Sequence, residues 1–270
     1  MKDMERMAAN TWCYRDLPVE EAVARISALG LKGVELVAHA PCWHADPRAS
    51  DEEIGRLKEL VASKGLEIVA VSPATDYLKF TPDEQREQIE HTKANVDLAV
   101  RLGAPVVRIF AGGAVPEGRS WEECVRAVVE QLKECARYAE DRGIKLGIES
   151  HGKFGTDLNA LAAIIERVNS PALGLTLDTA NFLVNGVDPV EAARRLSGRI
   201  FHTHLKDAKV LPDGSHKGTA LGEGDVPIRE VIEELKRQGY DGWLCIEYEG
   251  EEDPDAGLKK SMEFLRGLVS

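Results

Sequence analysis

The chain has 270 residues, 43% of them hydrophobic and 30% charged, with 46 acidic against 34 basic side chains and a net charge of −12. That length suits one large α/β barrel of about 250 residues. The excess of acid argues against binding nucleic-acid phosphates, which calls for clustered Lys and Arg, and no apolar run approaches the roughly 18 residues of a membrane span.

The predicted elements alternate along the chain. A strand at 7–11 precedes a helix at 20–29, and a strand at 33–38 precedes a helix at 51–64. Strands at 67–72 and 106–110 precede helices at 82–102 and 121–142. These four helices run into Gly30, Gly65, Gly103 and Gly143, the residue type that stops a helix in the left-handed conformation. Strands at 145–149 and 173–178 follow, with helices at 157–168 and 189–196; then strands at 200–205 and 243–248, with helices at 227–238 and 255–268. Asp188 and Asp225 stand where they would cap two of the late helices. Eight βα units without a hairpin signal predict a parallel sheet, and eight is the number that closes. The expected fold is α/β: a single (β/α)8 TIM barrel, one domain over residues 1–270, with its active site at the C-terminal ends of the strands.

The glycine-rich connection 209–224, after the seventh strand, is long enough to read as a lid. The five cysteines are odd in number and form no CxxC pair, which points to reduced thiols. Residues 1–6 carry mixed charge with no apolar block behind them, so no signal peptide is expected and the location read is cytoplasmic.

Four strand-like runs end on an acid or an imidazole: Glu149, Asp178, His204 and Glu247. Side chains on a strand alternate between faces. Gly147, Glu149 and His151 share one parity, as do Thr176 and Asp178, His202, His204 and Lys206, and Cys245, Glu247 and Glu249. The larger aliphatics take the other. Inward positions at the C-terminal end of a barrel are where catalytic groups sit, so the four can converge. Two Glu, one Asp and one His make an oxygen-rich set with a single nitrogen. It suits one divalent metal, Mn²⁺ first, with Mg²⁺, Co²⁺ or Zn²⁺ as further choices. Such an ion, holding a carbonyl and its neighbouring hydroxyl, stabilises an enediolate. Carboxylates on different strands are placed to remove a proton from one face and return it to the other.

The segments Gly147-Ile-Glu-Ser-His-Gly152, Leu177-Asp-Thr-Ala-Asn181, His202-Thr-His-Leu-Lys-Asp207, Gly222-Glu-Gly224 and Tyr240-Asp-Gly-Trp-Leu-Cys-Ile-Glu247 resemble the xylose isomerase-like TIM-barrel superfamily of sugar (phosphate) isomerases and epimerases. The resemblance runs over essentially the whole chain, including Gly33-Val-Glu-Leu36. It implies a mononuclear metal site on Glu149, Asp178, His204 and Glu247, with Glu149 and Glu247 as the acid/base pair that exchanges a proton through a metal-bound cis-enediolate. The activity expected is that of an isomerase or epimerase of a ketose or related keto-polyol, on a sugar or sugar phosphate. Ketose epimerases of this kind often carry a histidine where this chain has Asn181. Glu-Ser-His-Gly and His-Leu-Lys-Asp look more like the branch containing inosose dehydratase, so a dehydratase acting on a keto-inositol or keto-sugar is the alternative. A non-enzymatic sugar-binding barrel is a remote one. The apurinic-site endonuclease branch shares the barrel but assembles three zinc ions with additional histidines. Asn181, a fourth strand without ligands and the acidic surface speak against it.

Beyond the ligands, His151, Asn181 and Lys206 are substrate-binding candidates. His151 is alternatively an assistant in water loss, and Lys206 a salt-bridge partner of Asp207 or Glu249. Glu35 either orients a substrate hydroxyl or pairs with Arg108. Trp12 and Phe110 are candidate walls for a sugar. His39 and His44 read as surface or lid residues. The expected partner is a small sugar or polyol, with no nucleic acid and no membrane, and a homo-oligomer is compatible with this reading.

Overall fold

The computed structural model describes residues 6–269, so the signal-peptide reading of residues 1–5 lies outside it. The chain opens with β1 (Met7–Asn10), a 3-10 turn (Thr11–Tyr14) and α1 (Val19–Ala28). It continues with β2 (Gly33–His39), a short β3 (Cys42–Trp43), α2 (Asp51–Ser63), β4 (Glu67–Ser72) and α3 (Pro82–Leu102). Next come β5 (Val106–Phe110), α4 (Trp121–Glu140), β6 (Lys145–Glu149), α5 (Gly152–Gly155) and α6 (Leu158–Val168). The second half holds β7 (Leu173–Asp178), α7 (Thr179–Val184), α8 (Pro189–Arg195) and β8 (Ile200–His204). A hairpin of β9 (Asp207–Val210) and β10 (His216–Thr219) precedes α9 (Ile228–Arg237), β11 (Leu244–Ile246) and α10 (Pro254–Val269).

Eight parallel strands lie in the order β11-β1-β2-β4-β5-β6-β7-β8, with β3 antiparallel on the side of β2. The seam closes beyond the end of β8, where Leu205 N–H donates to Cys245 O (2.7 Å) and Glu247 N–H to Leu205 O (3.0 Å). This is the (β/α)8 barrel that the alternation predicts. Outward strand residues such as Leu36, Ile109, Leu146, Ile148 and Leu177 join the helices in the main core. A second, smaller cluster of Ala8, Val69, Ala70, Val106 and Cys245 fills the bore, backed by Trp243. Small inward residues low in the barrel leave its upper end to polar side chains.

The helix starts follow from local chemistry. Ser50, Thr81 and Ser120 each form a capping box with the Glu three residues on, worth about 1 kcal/mol apiece. Gly103 ends α3 at φ 79°, a conformation that costs other residues a clash of Cβ with backbone. Asp188 caps α8 as expected. Asp225 does not cap α9: its carboxylate accepts from Val210 N–H at 2.8 Å and braces the hairpin instead.

The connection 209–224 carries secondary structure of its own, since β9 and β10 pair within it. Its base is tied to Asp207, which accepts N–H bonds from Ala208, Gly222, Gly224 and Val226 between 2.8 and 3.1 Å. Gly222-Glu-Gly224 is thus a backbone cradle for a carboxylate. A Cβ on Gly224 would collide with Asp207 Oδ1.

Candidate metal centre

Two details of backbone geometry set the centre. Between β7 and β8 the register slips by one residue after Leu175, so Asp178 faces His204 rather than Thr203. A one-residue slip swaps the faces of a strand, and this one brings two inward side chains level. Asp178 is then fixed from both sides. Its N–H donates to Ser150 Oγ (3.1 Å), and its Oδ1 caps α7 by accepting Asn181 N–H at 2.8 Å. That leaves Oδ2 pointing into the barrel mouth.

Ligand atoms of Glu149, Asp178, His204 and Glu247 all lie within 4.8 Å of one another, and all four residues are buried. His204 Nδ1 stands 3.2 Å from Glu149 Oε2 and 3.5 Å from Glu247 Oε1. Atoms bound about 2.1 Å from one ion, at angles of 90–110°, are roughly 3.0–3.4 Å apart. Glu149 Oε2, Asp178 Oδ2 and His204 Nδ1 are buried and make no hydrogen bond, although Arg108 is ion-paired with the first of them, and natural interiors leave few such atoms unsatisfied. The donor set therefore fits a divalent cation.

The electrostatics agree. Glu149, Asp178, Glu247 and Glu249 face two permanent cations, Arg108 and Lys206. Burial, then the charges of Glu247 and Glu149, push the Asp178 carboxyl well up against the opposing pull of Lys206. Burial would raise Glu149 too, but Arg108 and then His204 outweigh it and hold it down at about 2. Burial works against the charged His204 imidazole, yet Glu35, Glu247 and Glu149 raise it well above the usual range. Lys206 contacts Glu249 closely, and stands 3.2 Å from Glu247 and 3.7 Å from Asp178.

Above the four residues opens a cavity of about 480 Å³ whose lining includes Glu149, Glu247, Arg108, Asn181, Lys206, His151 and Trp12. Asp178 and His204 lie beneath, fully buried. Arg108 Nε is 3.0 Å from Glu149 Oε2, its guanidinium 4.0 Å over the Phe110 ring. Asn181 Nδ2 donates to Glu149 Oε1 at 3.3 Å. His151 packs its ring 4.6 Å from that of Phe110. Trp12 faces His39 at 5.4 Å, so His39 belongs to the cavity wall.

Two expectations are corrected. Glu35 does not pair with Arg108, which turns to Glu149; it is fully buried and held by His202, His204 and Ser72, out of reach of a substrate hydroxyl. His44 is buried rather than a surface residue, its Nε2 2.8 Å from Leu17 O. Of the two acids weighed for Lys206, Glu249 makes the contact, while Asp207 is occupied by backbone N–H groups. Sequence reasoning missed Glu249 and His216 as lining residues. Glu249 has the inward parity of Glu247, a usable signal, but His216 reaches the cavity only through the hairpin.

A closed βα barrel with a carboxylate-rich, imidazole-bearing centre at the strand C-termini defines a class of barrel. Residues 23–268 match the xylose isomerase-like TIM barrel family, and the chain belongs to it. One relative is the fructoselysine 3-epimerase of Shigella flexneri, 26% identical over 272 residues that cover 95% of each chain. Another is the inosose dehydratase of Clostridium beijerinckii, 24% identical over 276 residues, covering 90% of this chain and 88% of that one. Among solved structures, the IOLI protein with a bound zinc atom shares the fold at a TM-score of 0.83, with 18% identity and 98% of each chain covered. Relatives of this chain thus include enzymes, an epimerase and a dehydratase among them.

Proposed function

We propose that this chain is a divalent-metal-dependent isomerase or epimerase of a ketose or related keto-polyol. The observation that carries the reading is the convergence of Glu149, Asp178, His204 and Glu247, three of them with buried ligand atoms that make no hydrogen bond, at the floor of a cavity of sugar size. A divalent ion held there would supply Lewis-acid polarisation of a carbonyl and the hydroxyl beside it. The oxygen-rich donor set keeps Mn²⁺ as first choice.

The proton work falls to Glu149 and Glu247. They enter the cavity from β6 and from just beyond β11, strands separated in the barrel by β7 and β8. Each keeps one oxygen near His204 Nδ1. Glu149 has its other oxygen held by Asn181, and Glu247 by Lys206 at 3.2 Å. One removes the proton next to the carbonyl carbon and the other returns it on the opposite face, which inverts that carbon. Arg108, Lys206 and Asn181 hold the two carboxylates in place, and Trp12, Phe110 and His151 wall the sugar. The substrate is a small sugar or polyol. The chain's five free thiols accord with a cytoplasmic site of action.

A second reading, dehydration of a keto-inositol or keto-sugar, is favoured by the inosose dehydratase relative and by an exposed His151 at the rim. Both share the first proton abstraction. Incubating the Mn²⁺-loaded protein with a panel of ketoses and inososes in D₂O separates them. Deuterium fixed in an epimer or isomer is expected; an enone or dione product selects the dehydratase. No exchange with any member of the panel would defeat the proton-transfer reading.

A further inference from the structure

We infer that Glu35 is a positioning residue which holds His204 in the tautomer that presents Nδ1 to the metal centre; this rests on the metal reading proposed above. Glu35 lies on β2 behind His204, fully buried and away from the cavity. Its Oε2 is 2.8 Å from Nε2 of His202, 2.8 Å from Nε2 of His204 and 3.3 Å from Cys245 Sγ, while Ser72 Oγ donates to Oε1.

An ionised carboxylate only accepts hydrogen bonds. Glu35 Oε2 is surrounded by two ring nitrogens and a thiol, and Oε1 takes the Ser72 hydroxyl, so both oxygens stand as acceptors. Both imidazoles must therefore turn an N–H toward it. For His204 this keeps a proton on Nε2, so that the one an incoming ion would displace is at Nδ1, which faces Glu149 and Glu247. A carboxylate behind a ligating imidazole fixes ring orientation and raises ligand basicity.

The distances also say what Glu35, His202 and His204 are not. Separations of 2.8 Å are those of N–H···O bonds, shorter than the roughly 3.0–3.4 Å between two ligands of one ion. The three form a hydrogen-bonded support and not a second metal site. His202 completes it, its ring meeting that of His204 edge-on at 5.5 Å. Swinging His204 about its own bonds would break the Glu35 contact and close on His202.

The test compares the full chain with Glu35→Gln, in which one acceptor oxygen becomes an amide donor. Titration with MnCl₂ and with ZnCl₂ should give an affinity about 10–100-fold weaker in the variant, while its circular dichroism and metal-free melting temperature stay close to wild type. Imidazole ¹⁵N–¹H correlation spectra of the Zn²⁺-loaded wild type should show the His204 proton on Nε2, a readout that stands even if the variant does not fold. Equal metal affinity in both proteins, or a Zn²⁺-loaded wild type with the His204 proton on Nδ1, would overturn the role of Glu35 alone. A wild type that takes up neither ion would instead remove the metal reading beneath it.

Discussion

Glu149 and Glu247 are the same residue in different surroundings. Glu149 is enclosed by Arg108, His204 and Asn181, whereas Glu247 meets Lys206 at the more open edge of the site, 8% exposed. Acid–base work of the kind proposed needs both. Glu149→Gln and Glu247→Gln should each lower turnover by about 10²–10⁴-fold, the usual share of a positioned proton carrier, with circular dichroism unchanged. Near wild-type turnover in either variant would remove it from the proton-transfer pair. At this scale the residue types were legible, because a charge closing an apolar run is visible without a structure. The partners were not. Glu35 and Arg108 both point inward, and parity cannot tell which carboxylate an arginine will reach when several share one bore.

Among the elements, the slip between β7 and β8 matters most. Gly174 lies beside it, and a Cβ there would overlap Arg199 O and the Phe201 ring. Gly174→Ala should therefore destabilise the chain by about 1–3 kcal/mol, the usual cost of overpacking, and weaken Mn²⁺ binding by disturbing the Asp178–His204 pair. Urea unfolding and metal titration measure the two effects. A variant matching wild type in both would show that the slip does not depend on close approach at this glycine. Long helices such as α3, with its capping box and terminal glycine, were legible almost to the residue. The slip was not, since the alternation within one strand does not say which residue of its neighbour each side chain stands beside. The β9–β10 hairpin was hidden for a related reason: Asp207 and Gly222–Gly224 join across 15 residues, and a glycine-rich stretch looks the same whether free or tied down.

For the whole molecule, closure of the barrel is what lets residues nearly a hundred positions apart share one site. It also concentrates negative charge, since four carboxylates and two cations are held together in a largely buried space. A divalent ion that binds only the folded chain stabilises it by mass action, about 2.7 kcal/mol at a hundred times Kd, or roughly 5–10 °C for a chain of this size. Differential scanning calorimetry with and without Mn²⁺ should show that rise and its reversal by a chelator. No shift with Mn²⁺, Mg²⁺, Co²⁺ or Zn²⁺ would count strongly against the centre. No helix among the described residues is long and apolar enough to cross a membrane.

What the chain determines on its own is the eightfold alternation and the four chemical groups at strand ends, because period and residue type are local properties. Tertiary structure alone decided that Asp178 stands level with His204, that Glu35 backs His204 rather than meeting Arg108, and that the hairpin carries His216 to the cavity. Each of these depends on register or on choice among partners distant in the chain. Such contacts are settled by competition in the packed interior, where only one arrangement satisfies every buried charge.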